Sequence, residues 1–156
     1  MKAVLRALYR MSTFMATLWT VGPLASLSFL EPLIHGYMRL IGRLVFWSHG
    51  GRRLDNVPDM AREWNRMMPA PREKFPVLES DDRTATGAIH VHCPLRGTGD
   101  AHACRRLMEF DRTLVEAMGG ELVVARSQSR EGTGCRVVIR KAGADWSDVR
   151  AAHEGT

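Results

Sequence analysis

The residues best equipped for chemistry lie in the second half of the chain. Asp111 stands seven residues after Cys104 and four before Val115, inside a helical pattern whose apolar stripe is Cys104, Leu107, Met108, Leu114, Val115 and Met118. A carboxylate on a core-facing stripe is costly unless it is hydrogen-bonded or paired. Asp111 is therefore a candidate general base or substrate anchor with a shifted pKa. The competing reading is a structural aspartate bonded to backbone or paired with an arginine. Cys104 falls in the first turn of the same helix, where the helix dipole favours a thiolate, which makes it a candidate nucleophile. Cys93 ends a strand pattern and is a second candidate. Cys135 alternates in phase with Val137 and Ile139, so it should point into the core. The bland reading of all three is a small, buried, apolar side chain.

Other groups lie nearby in sequence. His90 and His92 share one face of the predicted strand, with His102 a short loop away. Such a cluster could hold zinc, but no Cys-x-x-Cys or His-Glu-x-x-His spacing accompanies it, so no metal is assigned. Arg96, beside Gly97 and Gly99 just ahead of a helix start, is a candidate clamp for a substrate anion, with His92 beside it. The alternative is a tight turn with a solvated arginine. Three cysteines without paired spacing argue against a disulfide framework and for reduced thiols.

These groups must be positioned by a small set of elements. Residues 75–80 and 87–93 read as strands, the second stopped by Pro94. Asp100 is a good N-cap for one long helix over residues 101–118, and Gly119-Gly120 supplies its stop. Residues 122–127 and 135–141 read as strands joined through Gly132 and Gly134. The order β-β-α-β-β with short connections predicts an α+β domain with a mainly antiparallel sheet and a helix on one face. The predicted organisation is N-terminal helices over 1–48, a short helix and proline-containing linker over 49–74, the α+β domain over 75–141 and a tail over 142–156.

The N-terminal region has a different character. Lys2, Arg6 and Arg10 lead into residues 11–30, which carry no charge. The length is close to the ~20 residues of a bilayer span, although hydroxyl residues dilute the stretch and Gly22-Pro23 should end the helix near Val21. A membrane span, an amphipathic surface helix and a packed helix all remain open. From Glu31 a second helix places His35, Arg39 and Arg43 on one face and Leu33, Tyr37, Leu40, Leu44 and Trp47 on another. Such a helix can lie on an anionic membrane or pack on its own domain. The formal net charge of +5 permits acidic partners, but no aromatic-basic alternation marks a nucleic-acid reader.

Taken together, His92-Cys93-Pro94-Leu95, Cys104, Phe110-Asp111, Gly132-x-Gly134-Cys135 and a strand ending at Arg140-Lys141 resemble the conserved domain of the L-2-amino-thiazoline-4-carboxylic acid hydrolase-like family. The resemblance covers residues 75–141. It implies hydrolytic opening of a sulfur-containing cyclic amidine and a small carboxylated substrate; no cofactor is assigned. With residue chemistry added, Asp111 would be the base, Cys104 or Cys93 the nucleophile, and Arg96, His92 and Cys135 the substrate-binding groups. The alternative function is a non-catalytic accessory subunit held at a membrane, or at a membrane protein, through residues 1–48. Either way the expected location is the cytoplasm, with attachment to the inner face of the membrane in the second case.

Overall fold

The computed structural model describes residues 2–69 and 71–153. Three helices come first: α1 (Lys2–Ala25), α2 (Glu31–Ser48) and α3 (Val57–Met67). Strands β1 (Val77–Ser80) and β2 (Ala85–Ile89) follow, then helices α4 (Ala101–Leu107) and α5 (Glu109–Met118). Strand β3 (Gly120–Arg126), the one-turn helix α6 (Gln128–Glu131) and strand β4 (Cys135–Lys141) complete the fold. The four strands form one antiparallel sheet in the order β1-β2-β4-β3. The architecture is α+β, as the sequence pattern predicts.

Several boundaries differ from expectation for physical reasons. The helix predicted over residues 101–118 is two helices. Met108 sits at the junction with φ −71 and ψ −2, well short of helical ψ, and the break lets α4 lean on α1 and α6 while α5 lies along β3. Asp100 does cap α4, its carboxylate accepting the Ala103 N–H at 2.8 Å. The second strand ends at Ile89 rather than Cys93, because the His90 N–H turns to the Lys74 carbonyl at 2.7 Å. Helix α1 runs past Gly22-Pro23 to Ala25. Gly22 is where α1 meets the loop after β2: a Cβ there would lie 2.5 Å from Pro94 Cγ.

The molecule is layered. Helix α3 packs on β1, β2 and β4, and α5 packs on β3. Outside them α2 lies on α5, and α1 on α4. Trp64 of α3 is fully buried and crosses β2 at Gly87, where a Cβ would stand 2.8 Å from the indole. A strand glycine at a close approach is the expected solution. From the outer layer, Ile34, Met38 and Phe46 of α2 join the same core as Trp64, Leu114 and Val137, and Phe14 and Leu18 of α1 pack against it. Full burial of one such side chain is worth about 1.5–3 kcal/mol. The helices before the proline-bounded stretch and the sheet after it therefore share one core.

Helix α2 is also fixed by charge. Arg39 donates to Glu109 at 2.8 Å and to Glu116 at 3.0 Å, and His35 lies 3.7 Å from Glu109. Arg106, nearly buried in α4, donates to the Ala25 carbonyl and, at 2.8 Å, to Glu31, which staples the α1–α2 corner. The basic stripe of α2 is thus largely spent on its own domain. Among the described residues no helix is long and apolar enough to cross a membrane.

Two glycines of α2 give a paired test of this packing. A Cβ on Gly42 would sit 3.0 Å from Thr113 Cβ and 3.1 Å from the Phe110 carbonyl, whereas one on Gly36 would meet nothing within 4 Å. Gly42→Val should destabilise by about 1–3 kcal/mol through overpacking. Gly36→Ala should stabilise by up to about 1 kcal/mol through helix propensity. Urea melts of both variants check the contrast.

Candidate functional site

Asp111 lies on the inner side of α5, where helical periodicity puts it, and faces the seam between the helices and the sheet. Its Oδ1 accepts the Trp64 indole N–H at 2.9 Å. Arg112, the adjacent cation, turns instead to the Arg105 carbonyl at 2.8 Å, to His153 at 3.2 Å and towards Glu109 at 3.8 Å. Burial therefore dominates the Asp111 carboxyl and pushes its pKa up to about 6, with the indole bond and the Arg112 charge opposing the shift.

A cavity of ≈70 Å³ opens beside this carboxyl. Cys93, Cys104 and Cys135 line it with Asp111 and Gln128, and the remaining wall is apolar, with Phe14 and Leu18 of α1 forming the cover. Cys104 comes from the first turn of α4 and Cys135 from the first residue of β4. Cys93 comes from the loop after β2 and is only half-buried. The space suits a few heavy atoms or ordered waters, well above the ~10–15 Å³ that one water requires.

The thiols are held in their protonated form. Burial raises the Cys104 pKa to about 12, against the opposing hydrogen bond to Ser127. Its Sγ shares that bond with Ser127 Oγ at 3.0 Å, and Ser127 Oγ shares another with Ser129 Oγ at 2.8 Å. The thiolate expected from the helix dipole is not favoured here, because α4 has only seven residues and the sulfur is desolvated. Burial raises the Cys93 and Cys135 thiols as well.

Arg96 and His92 do not join this group. Both are exposed; His92 stacks on Trp19 with ring centroids 5.8 Å apart, and Arg96 Nη1 lies 3.4 Å from His92 Nδ1. The glycine N–H groups beside Arg96 are already used: Gly97 donates to the Gln128 carbonyl at 3.0 Å and Gly99 to the Ser129 carbonyl at 2.8 Å. The anion cradle expected of this loop is consequently a structural turn docked on α6. His90 and His92 also lose their common strand face once β2 ends at Ile89. Among the described residues no three His, Cys, Asp or Glu side chains gather as metal ligands would.

Three participants escape sequence reading. Trp64 is visible there only as a member of the apolar side of α3, not as a donor to Asp111. Gln128 donates from Nε2 to the Val91 carbonyl at 2.8 Å and accepts the Cys93 N–H at 3.4 Å, which fixes the cavity wall. Ser127 caps α6 and also bonds Cys104. Its place as a cap residue was the one available signal. Comparison of the chain with protein-family models, with curated proteins and with solved structures finds no match. The chemistry the cavity offers is therefore read from its groups: one carboxyl able to take and return a proton near neutral pH, amid neutral thiols and apolar walls.

The carboxyl sets a pH signature. Its pKa is raised on folding, so the protonated form contributes stability that is complete below the ordinary carboxyl value of 3.8 and is lost as pH rises through about 6. Asp111→Asn keeps an acceptor for Trp64 and removes the titration. The stability difference between wild type and variant should shift in the variant's favour by on the order of 3 kcal/mol from pH 3.5 to pH 7. Denaturant melts of both proteins across that range check it.

Proposed function

We propose that the chain is a small hydrolase-like protein that binds or opens a compact, sulfur-containing cyclic-amidine carboxylate, only the amidine edge of which enters the Asp111 cavity, with Asp111 as its acid–base group. The observation that carries the reading is the convergence of Asp111 and three neutral thiols on one small cavity. An amidine presents N–H donors that match a carboxylate acceptor, and a thiol-lined apolar wall suits a ring sulfur. Water takes the nucleophile's role in place of Cys104 or Cys93, since both thiols keep their protons at neutral pH. Asp111 accepts a proton as the water oxygen adds to the ring carbon between nitrogen and sulfur. It returns that proton to the ring nitrogen, and the added hydroxyl then gives up its own proton, through Asp111, to the same nitrogen as the carbon–nitrogen bond breaks, which leaves a primary amine and a thiocarbamate carbonyl. Arg96 and His92 supply no clamp for the substrate's carboxylate in this arrangement, so recognition rests on the ring.

Hydrolysis of 2-amino-thiazoline-4-carboxylate tests the reading. Folded Asp111→Asn should lose at least about 100-fold in kcat/KM, the lower end of a general-base contribution. Cys93→Ala and Cys104→Ala should keep activity within about tenfold. Full activity in Asp111→Asn would remove the carboxyl from the mechanism.

One observation favours a second reading, a non-catalytic accessory subunit in the cytoplasm against the inner face of a membrane. Leu33, Tyr37, Leu40, Leu44 and Trp47 form an uncovered stripe along α2, with Leu33 69 % and Trp47 80 % exposed. Contiguous apolar surface of this kind marks interaction sites, and Arg43 beside it remains exposed. On this reading Leu40→Glu with Leu44→Glu should abolish co-sedimentation with anionic phosphatidylglycerol vesicles while the thermal melt stays unchanged. Equal sedimentation of the double variant would rule out the stripe as the contact.

A further inference from the structure

Between α1 and α2 runs a groove of ≈350 Å³, distinct from the Asp111 cavity and separated from it by shared side chains. That volume lies within the roughly 300–1,000 Å³ typical of small-molecule sites. Phe14 and Leu18 of α1 form one wall, Ile41 and Val45 of α2 the other, and Leu107 and Phe110 the floor. From residue 10 to residue 18 the helix advances about 12 Å, which sets the groove's length.

One end of this apolar trough is cationic and held ready. Arg10 Nη1 lies 3.1 Å from His49 Nε2. His49 Nδ1 lies 2.8 Å from the Val45 carbonyl, which can only accept, so Nδ1 carries the hydrogen and Nε2 receives the arginine N–H. The histidine is itself anchored, because Arg66 Nη2 donates to its carbonyl at 2.7 Å. Glu63, the acidic residue near this end, is engaged by Arg66 Nε at 2.8 Å. Among the described residues no carboxylate stands within ion-pair distance of Arg10. A guanidinium has five N–H donors, and the histidine takes one.

We infer that this groove binds a carboxylate with a medium-length unbranched hydrocarbon chain, the chain lying between α1 and α2 and the carboxylate on Arg10. An apolar trough ending in one oriented guanidinium is complementary to that amphiphile and not to a cationic or neutral one. The inference stands apart from the chemistry assigned to Asp111.

Calorimetric titration of the full chain with decanoate, decan-1-ol and decyltrimethylammonium, each below its micelle concentration, tests it. Decanoate should bind at least tenfold more tightly than the other two. Arg10→Gln should weaken decanoate at least tenfold, Arg10→Lys should largely retain it, and Ile41→Trp should abolish it by filling the groove while a cooperative melt persists. Asp111→Asn and the Leu40→Glu, Leu44→Glu pair should leave decanoate binding unchanged, which separates this site from both functional readings. Equal binding of the three amphiphiles, no binding of decanoate, or an Arg10→Gln variant with undiminished affinity would overturn it.

Discussion

Trp64 and Asp111 meet where every layer of the molecule comes together. The indole is fully buried, lies on the sheet at Gly87, packs edge-on against Phe75 with centroids 6.4 Å apart, and donates its single N–H to the carboxyl of α5. An indole N–H left unpaired in such a place would cost about 1–3 kcal/mol, and a carboxylate without a donor would cost more. The pair satisfies both groups with one bond and ties α3 to α5 across the core. Asp111 also lines the cavity, so the constraint that fixes the core places a titratable group on the cavity wall.

The outer helices depend on that arrangement in turn. Once α5 is set, Glu109 and Glu116 stand on its outer side and Arg39 spans them, while Ile34, Met38 and Phe46 fill the space beneath. Exposed ion pairs contribute little on their own, but Glu109 is almost buried, and removing Arg39 would leave it only the longer contacts to His35 at 3.7 Å and Arg112 at 3.8 Å. The pairing fixes how α2 is rotated about its axis. As a consequence Leu33, Tyr37, Leu40, Leu44 and Trp47 are left facing outward.

How much of this was legible in the sequence follows from the range of the forces involved. Strand β4 was readable to its ends, because Cys135, Val137 and Ile139 alternate and Gly134 precedes them. The inward aim of Asp111 and Cys104 followed from helical spacing alone. The strand stops before His90 although its local alternation continues through His92, because the contacts that end it come from Lys74 and Gln128, distant in sequence. The glycines around Arg96 signalled a turn, but nothing local told that their N–H groups were taken by residues 128 and 129. The helix dipole does not make Cys104 a thiolate for a similar reason: it acts locally and is outweighed by burial that only the assembled fold creates. The N-terminal helices were readable as helices, but the acidic partners that claim their basic face lie about seventy residues away.

The order of the strands leaves β1 and β3 at the two rims of the sheet. Unpaired rims are templates for association with other chains. Strand β1 is short, carries Glu79 and loses register between Val77 and Glu79, all of which discourage a visiting strand. Strand β3 is longer and richer in valine, and it is guarded differently. The C-terminal segment folds back so that the Ala152 N–H occupies the Val124 carbonyl at 2.7 Å, while Trp146 is fastened to Glu121 at 2.8 Å and Asp148 grips Arg140 by both oxygens. Residues 146–152 thus act as a guard against sheet-to-sheet aggregation. A chain cut after Lys141 would present a bare β-branched edge to its neighbours.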